Sequence, residues 1–252
     1  MAKNQGNDRS RSKEELKQEV TSYNKTSRKK LTISKKDIEN SQIELTIKQH
    51  ELYKLIRNNT LTVVQGPAGT SKTFTACYTA LNLLVDKKID KIVLTKPIKE
   101  SGEELGHLPG DIEEKTAPFM RSYFSNFEKI VGKQSSEFMK SSGEILVEPL
   151  AYMRGVTYDN AIIILDEAQN ATIQQLMLWV TRLGKNSKAI LMGDVSQSDI
   201  RDRDSKFTNF INMIEGVEGA ANFAFASDDI VRNKILIEIV NRYESLKKEN
   251  KI

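Results

Sequence analysis

Short aliphatic runs alternate along the chain with longer segments in which apolar residues recur every three or four positions. A short aliphatic run bounded by polar or turn-forming residues is typical of a buried β-strand. The predicted strands are LTVVQ at 61–65, KIVLTK at 91–96, EILVEPL at 144–150, AIIILDEA at 161–168, KAILMGD at 188–194 and ANFAFAS at 221–227.

The segments between these strands have helical periodicity, as in TIKQHELYKLIRNN before the first strand. Strands that alternate with helices predict an α/β fold, with a mostly parallel sheet flanked by helices. The run IIIL has no polar alternation and predicts a central strand that is buried on both faces. The predicted helices cover about 46–59, 72–86, a mostly helical insertion at 101–142, 172–183 and 228–247.

The first forty residues differ from the rest of the chain in charge and composition. Residues 1–40 contain 11 Lys/Arg and 6 Asp/Glu with few apolar residues, whereas the remaining residues are nearly neutral. We therefore predict a basic, disordered N-terminal tail at 1–40 and a single domain at 41–252. Basic arms often contact nucleic acid, but a solvated tail without a ligand is an equally open interpretation.

Three features bear on the compartment. The single cysteine, Cys77, excludes an internal disulfide and is typical of a reducing environment. No apolar run approaches the roughly 20 residues of a membrane span, and the N-terminus lacks the apolar stretch of a signal peptide. We therefore expect a cytoplasmic protein without a membrane-spanning segment.

The first strand is followed by GPAGTSKT and then by a predicted helix. A phosphate-binding loop lies in this context, and its consensus is glycine, four residues and then Gly-Lys-Ser/Thr. Its backbone N–H groups and the positive end of the following helix bind phosphate. We predict that Lys72 contacts the β- and γ-phosphates, that Thr73 ligates Mg²⁺, and that the phosphates are surrounded by Gly66, Pro67, Ala68, Gly69, Thr70 and Ser71.

Ser71 stands where the consensus has glycine. Serine keeps its backbone N–H, so the loop still forms if Ser71 has a negative φ; left-handed backbone favours glycine. Serine is also common at the residue before a helix. Under this condition we expect a loop that binds nucleotide, with the hydrolysis rate as the property most affected.

A second site element is the aliphatic strand that ends in Asp166 and Glu167. At the end of this strand Asp166 would lie beside the loop and hold Mg²⁺ through water, while Thr73 ligates the ion directly. Glu167 would orient and deprotonate the attacking water. The alternative for this strand alone is an end with two solvated acids, and the alternative for the loop alone is a Gly-rich turn that happens to precede Lys-Thr. Both elements nevertheless occur together in the expected order.

Two glutamines are further candidates. Gln197, in LMGDVSQSD after another aliphatic strand, is a candidate sensor of the γ-phosphate, and Asp194 in the same segment would support the site. Gln49 lies in the helix before the first strand, where its amide could bind the adenine edge through one donor and one acceptor. An ordinary surface glutamine is the alternative for Gln49.

Taken together, these motifs resemble the PhoH-like ATPases from about residue 43 to 247. The resemblance implies a RecA-like P-loop NTPase fold, similar to the first motor domain of superfamily 1 helicases, in a short phage or bacterial member of the family. Departures from the family pattern are Ser71, Lys96 in place of a frequent arginine, and Asn233 in place of a histidine. The resemblance rests on GPAGTSKT, KIVLTKPIKESGEELGHLPGDIEEKTAPF, EPLAYMRG, AIIILDEAQNAT, TRLGKNSKAILMGDVSQSDI and DDIVRN.

The resemblance also implies Mg²⁺-dependent ATP hydrolysis coupled to remodelling of RNA or single-stranded nucleic acid. By analogy with helicases, Lys96 lies where nucleic acid passes. Arg154 could contact phosphate, a neighbouring subunit or nucleic acid, and Arg232 could serve as an arginine finger. For both arginines a surface ion pair is the alternative, and for Lys96 a solvated side chain.

Helicase-type motors close their ATP site between two RecA-like domains, and this chain has room for one. A second copy would then supply the other wall, and we expect a homo-oligomeric ring, with six subunits as the resemblance implies. The alternative function is a nucleotide-gated regulatory or binding protein that hydrolyses ATP slowly and does not translocate. A small-molecule kinase is disfavoured, because Glu167 is better suited to activating water than an acceptor hydroxyl.

Overall fold

A computed structural model describes residues 33–97, 112–195, 206–231 and 234–248. Short 3₁₀ turns occur at Leu150–Met153, Ala168–Asn170 and Ser227–Asp229. The strands are β1 Leu61–Gln65, β2 Lys91–Thr95, β3 Ile145–Val147, β4 Ala161–Leu165, β5 Lys188–Gly193 and β6 Ala220–Ala224. The helices are α1 Lys35–Glu39, α2 Ile47–Asn58, α3 Lys72–Val85, α4 Ile112–Val131, α5 Lys133–Ser141, α6 Ile173–Val180, α7 Lys206–Met213 and α8 Lys234–Lys248.

The six strands form one sheet in the order β3-β2-β4-β5-β1-β6, and every pair is parallel. The predicted α/β fold is therefore confirmed. Strands β1 and β4 lie on either side of β5, so the loop after β1 and the carboxylates after β4 meet at the same edge of the sheet. Ligands of open parallel sheets bind outside the carboxyl ends of the strands, and this edge is the place to look for a site.

Each face of the sheet is covered by its own hydrophobic core. Ile162 and Ile164 of β4 belong to the core under α2, α3, α4 and α5. Ile163 and Leu165 belong to the core on the other face, under α6 and α7. All four side chains are fully buried, as the IIIL run predicts. Because both faces are packed, the positions of the strand ends at the carboxyl edge of the sheet are fixed.

The folded part of the chain begins earlier than predicted. Ile33 and Ile38 are buried in the core on the α2 and α3 side, and α1 lies between Lys35 and Glu39. The compact unit starts at Ile33, so the predicted boundary at 40/41 is wrong for these residues. Two isolated apolar residues in a basic segment carry too weak a pattern to be recognised. The remainder of the predicted tail lies outside the described residues.

Several predicted element bounds also differ. Gly132, with φ +81°, separates α4 from α5 within the helical insertion, whose first residues lie outside the described part. The last helix begins at Lys234 because Ser227–Asp229 form a 3₁₀ turn. Helix α7 was not predicted. Within the described residues, no helix is both long and apolar enough to cross a membrane.

Candidate nucleotide site at the carboxyl edge of the sheet

A cavity of about 410 Å³ opens at the carboxyl edge of the sheet. It brings together the loop after β1, the residues that follow β2, β4 and β5, and one face of α4. The sequence-predicted residues among those lining it are Ala68, Gly69, Ser71, Lys72, Thr73, Lys96, Asp166, Glu167 and Asp194. The other lining residues are Phe74, Ser122, Asn126, Lys129, Gly193 and Val231.

At Gly66 the loop leaves β1 and passes close to Phe225, with no room for a side chain. Its φ is +151°, and a Cβ at this position would lie 2.7 Å from the Cβ of Phe225. Phe225 is held there because its N–H donates to the carbonyl of Gln65 at 2.9 Å. A side chain at Gly66 would therefore displace the loop, and glycine is required at the first consensus position.

The loop offers backbone donors to the cavity. Among the described residues, no backbone carbonyl accepts from the N–H groups of Ala68, Gly69, Thr70 or Ser71. The Thr70 hydroxyl donates to the carbonyl of Pro67 at 2.9 Å and holds the turn closed. Open N–H groups that precede a helix form an anion-binding cradle. The loop residues therefore fit a phosphate group.

Lys72 lies back over this loop. Its Nζ donates to the carbonyl oxygens of Gly66 at 2.6 Å and Pro67 at 3.0 Å. Its backbone begins α3, so the ammonium and the positive end of the helix act on the same space. This placement agrees with the predicted contact between Lys72 and the phosphates.

Ser71 has a left-handed backbone conformation, with φ +63° and ψ +29°. The condition of a negative φ is therefore not met. Its side chain makes no capping hydrogen bond to α3, although its carbonyl accepts from the N–H and the hydroxyl of Thr75. The glycine of the consensus is a conformational requirement of this turn, and the serine adopts the same conformation at a strain of roughly 1–2 kcal/mol.

We expect Ser71→Gly to raise the free energy of unfolding by up to about 1 kcal/mol, because relief of the left-handed strain exceeds the added entropy of the unfolded glycine. Ser71→Val should lower it, since branched side chains tolerate this conformation poorly. Urea unfolding of both variants measures the effect. Loss of stability in Ser71→Gly would show that the serine side chain stabilises the loop.

Asp166 joins the loop to β4. The hydroxyl of Thr73 donates to Asp166 Oδ2 at 2.9 Å, and the N–H of Glu167 donates to Oδ1 at 3.0 Å. The Asp166 side chain is only 6% exposed. Within the described residues there is no cluster of three or more His, Cys, Asp or Glu that could hold a metal. The Thr73 hydroxyl and the Asp166 carboxylate nevertheless fit Mg²⁺, which needs few protein oxygens when phosphates and water complete its shell.

Glu167 is positioned by a residue that the sequence analysis did not identify. Glu167 has a left-handed backbone, with φ +61°, and its Oε2 accepts from the Nε2 of Gln169 at 2.7 Å. The Oε1 of Gln169 accepts from the backbone N–H of Asp194 at 3.0 Å. Gln169 is buried and thus connects the ends of β4 and β5. The only sequence signal is a polar residue shortly after the acidic pair.

Gly193 makes room for this connection. A Cβ there would lie 2.9 Å from Gln169 Oε1 and 2.8 Å from the ring of Phe207. The end of β5 therefore needs a residue without a side chain. Asp194, which follows, is buried beside the cavity, where the sequence analysis placed it as a supporting residue.

Lys96 contacts the site rather than solvent. Its side chain is 11% exposed, and its Nζ lies 3.4 Å from Asp166 Oδ2. It also donates to the hydroxyl of Ser122 at 2.9 Å and lies 5.3 Å from the centre of the Tyr123 ring. The interpretation of Lys96 as a solvated lysine is therefore wrong. Burial, and then the Asp166 carboxylate, raise the pKa of the Tyr123 hydroxyl well above its usual range.

Two further predicted residues that the structure describes, Gln49 and Arg154, do not line the cavity. Gln49 is buried, not on the surface, and its Oε1 accepts from the N–H of Thr46 at 2.9 Å in a capping box at the start of α2. Arg154 is exposed after a 3₁₀ turn and does not line the cavity. Gln197 and Arg232 lie outside the described residues. Val231, next to Arg232, lines the cavity and donates its N–H to the carbonyl of Gly69 at 3.2 Å.

Comparison with known sequences places the chain in a family. The profile of the PhoH-like protein family matches residues 42–244. A PhoH-like protein of Bacillus subtilis is 40% identical over 200 residues, which cover 79% of this chain and 63% of the relative. Protein PhoH of Escherichia coli is 35% identical over 196 residues, which cover 75% and 54%. The chain therefore spans about three fifths or less of the length of these relatives.

Comparison with solved structures agrees with the fold. The large terminase of a thermophilic bacteriophage is similar with a TM-score of 0.52 and 10% sequence identity, over 80% of this chain and 50% of the terminase. At this identity the likeness shows the shared fold alone. The parallel sheet with a phosphate-binding loop after β1 is the part of the fold that carries the cavity.

Proposed function

Because the chain belongs to the PhoH-like protein family, we propose that it binds ATP with Mg²⁺ in this cavity and hydrolyses it. One observation carries the proposal. Thr73 and Asp166, 93 residues apart, share a hydrogen bond of 2.9 Å in the wall of the cavity that Lys72 also lines. A phosphate-binding loop and an acidic strand end are thus joined at one place, which is the arrangement that a Mg²⁺-dependent NTPase needs.

The roles of the loop follow from its contacts. The open N–H groups of residues 68–71 bind the phosphate oxygens, and Lys72 exchanges the carbonyls of Gly66 and Pro67 for the β- and γ-phosphates. Thr73 and Asp166 would hold Mg²⁺. When bound, this ion neutralises charge that develops on the transferred phosphoryl group. Together these groups orient the triphosphate and stabilise the transition state of phosphoryl transfer.

In the hydrolytic step, water attacks the γ-phosphorus and the bond to the β,γ-bridging oxygen breaks, which releases ADP. Glu167 accepts a proton from the attacking water. Gln169 fixes the Glu167 carboxylate through the hydrogen bond between Nε2 and Oε2. In this proposal Gln197 senses the γ-phosphate, Gln49 contacts adenine, and Arg232 or Arg154 supplies positive charge to the γ-phosphate.

We further propose that hydrolysis is coupled to RNA or single-stranded nucleic acid and that the active form is a homo-oligomeric ring, with six as the expected number of subunits. The basic composition of residues 1–40 supports the nucleic-acid partner. The exposed apolar side chains of α8 support association between copies. These are Ile235, Ile239, Tyr243 and Leu246, and none of the α8 side chains that the structure describes is buried.

The proposed function is tested by ATP turnover with and without single-stranded RNA and DNA at stated salt concentrations, alongside the particle mass with a nonhydrolysable ATP analogue. We expect turnover to require Mg²⁺, to rise with at least one polymer and to accompany an assembly larger than a monomer. Turnover that no polymer changes would favour the nucleotide-gated regulator. A monomer with undiminished turnover would rule out a site shared between subunits.

A further inference from the structure

Lys96 is a cation of the site, with its side chain 11% exposed, that the proposed mechanism does not yet use. It follows β2, and its ammonium contacts Asp166 Oδ2, the Ser122 hydroxyl and the face of the Tyr123 ring. A charge with so little exposure must be paired or hydrogen-bonded, because removing it from water is unfavourable. Asp166 is the acidic partner in this structure.

The same carboxylate oxygen serves two groups. Asp166 Oδ2 accepts from the Thr73 hydroxyl at 2.9 Å and lies 3.4 Å from the Lys96 ammonium. Thr73 and Asp166 are the residues that fit Mg²⁺. A divalent ion bound there would compete with Lys96 for the charge of Asp166. The ammonium would then need another anion within reach.

The γ-phosphate is the anion that would arrive together with that ion, because NTPases take the triphosphate with Mg²⁺. We propose that Lys96 is a further phosphate-binding residue, which exchanges Asp166 for the γ-phosphate when Mg²⁺ and ATP bind. This inference rests on the proposed function and deepens it, since it makes Lys96 a residue that distinguishes ATP from ADP. It gives Lys96 a role in the nucleotide site rather than on a nucleic-acid path.

The surroundings of Lys96 suit such an exchange. The Tyr123 hydroxyl donates to the carbonyl of Thr95 at 3.2 Å and ties α4 to the end of β2. The backbone just before Lys96 is therefore anchored, while the Lys96 ammonium carries three donors on a flexible side chain. Ser122 would compete with phosphate for this ammonium. Exchange of the lysine would release the Ser122 side chain and transmit the nucleotide state to α4.

The test compares the affinities of Lys96→Gln for ATP and ADP, measured by calorimetry with Mg²⁺ on the full chain. We expect ATP binding to weaken roughly 10- to 100-fold, as for loss of a hydrogen bond to a charged group, and ADP binding to stay almost unchanged. Lys91→Gln, at the opposite end of β2, is the matched control and should alter neither affinity. Equal weakening for both nucleotides, or no change for either, would overturn the role of Lys96.

A second variant covers the case in which Lys96→Gln does not fold. Ser122→Ala removes an exposed hydroxyl and only one of the contacts that hold the ammonium away from phosphate. The proposal then predicts roughly 2- to 10-fold tighter binding of ATP, the size of a hydrogen bond at an exposed position where water replaces the lost hydroxyl, and unchanged binding of ADP. An unchanged ratio of the two affinities would contradict the proposal. If the wild-type chain binds neither nucleotide, the proposed function itself fails, which is a separate outcome.

Discussion

Replacing Glu167 by glutamine is expected to reduce ATP turnover by a factor of roughly 10²–10⁴ and to leave ATP affinity almost unchanged. The amide has the shape of the carboxylate but cannot accept a proton from water. Its oxygen can still accept the hydrogen bond from Gln169 Nε2 that now holds Glu167 Oε2, so the local structure should survive. Single-turnover hydrolysis and equilibrium binding of ATP measure the two effects separately.

Two further variants are compared with Glu167→Gln. Glu128→Gln, on the exposed side of α4, is the matched control and should leave turnover unchanged. Asp166→Asn should instead raise the Mg²⁺ concentration needed for half-maximal turnover, because it removes the charge that holds the ion. Normal hydrolysis in both Glu167→Gln and Asp166→Asn would show that the general base lies elsewhere.

The second large effect is expected for Lys72→Ala, which should weaken ATP binding by roughly two orders of magnitude or more, the size of a lost contact to a charged group. Lys72 donates to the carbonyls of Gly66 and Pro67, so its removal should also relax the loop. Calorimetry of ATP binding measures the change in affinity. A urea unfolding curve then shows whether the variant keeps its fold.

Lys88→Ala is the matched control for this variant. Lys88 is exposed just beyond the end of α3, the helix that Lys72 begins, and its removal should change neither affinity nor stability. ATP affinity that is unchanged in Lys72→Ala would overturn the assignment of residues 66–73 as a phosphate-binding loop. If Lys72→Ala is also less stable, the change in ATP affinity is compared without urea at a temperature at which the unfolding curve shows the variant to be folded.

Local patterns in the sequence were sufficient to predict the parallel sheet and the residues at the centre of the candidate site. Strands buried on both faces need unbroken aliphatic runs, and the run at 161–165 is visible without any structure. The loop at 66–73 and the acids at 166–167 each follow such a run. Because parallel strands end at one edge, their order along the chain was enough to predict that loop and carboxylates meet.

The tertiary structure decided what depends on neighbours distant in the chain. The partners of Lys96 come from β4 and α4, so its sequence context suggests exposure whereas packing buries it. Gln169 becomes a positioning residue only because β5 brings Asp194 beside it. Ile33 and Ile38 belong to the core although their segment is polar and basic.

The backbone of Ser71 shows the same division within the loop itself. The sequence identified the position as the consensus glycine and could not supply its φ. The sign of φ follows from the path between β1 and α3, which is set by the packing of both on opposite sides of the turn. The motif thus predicted which atoms bind phosphate. The surrounding fold decided the backbone strain of these residues, their burial and their hydrogen-bond partners.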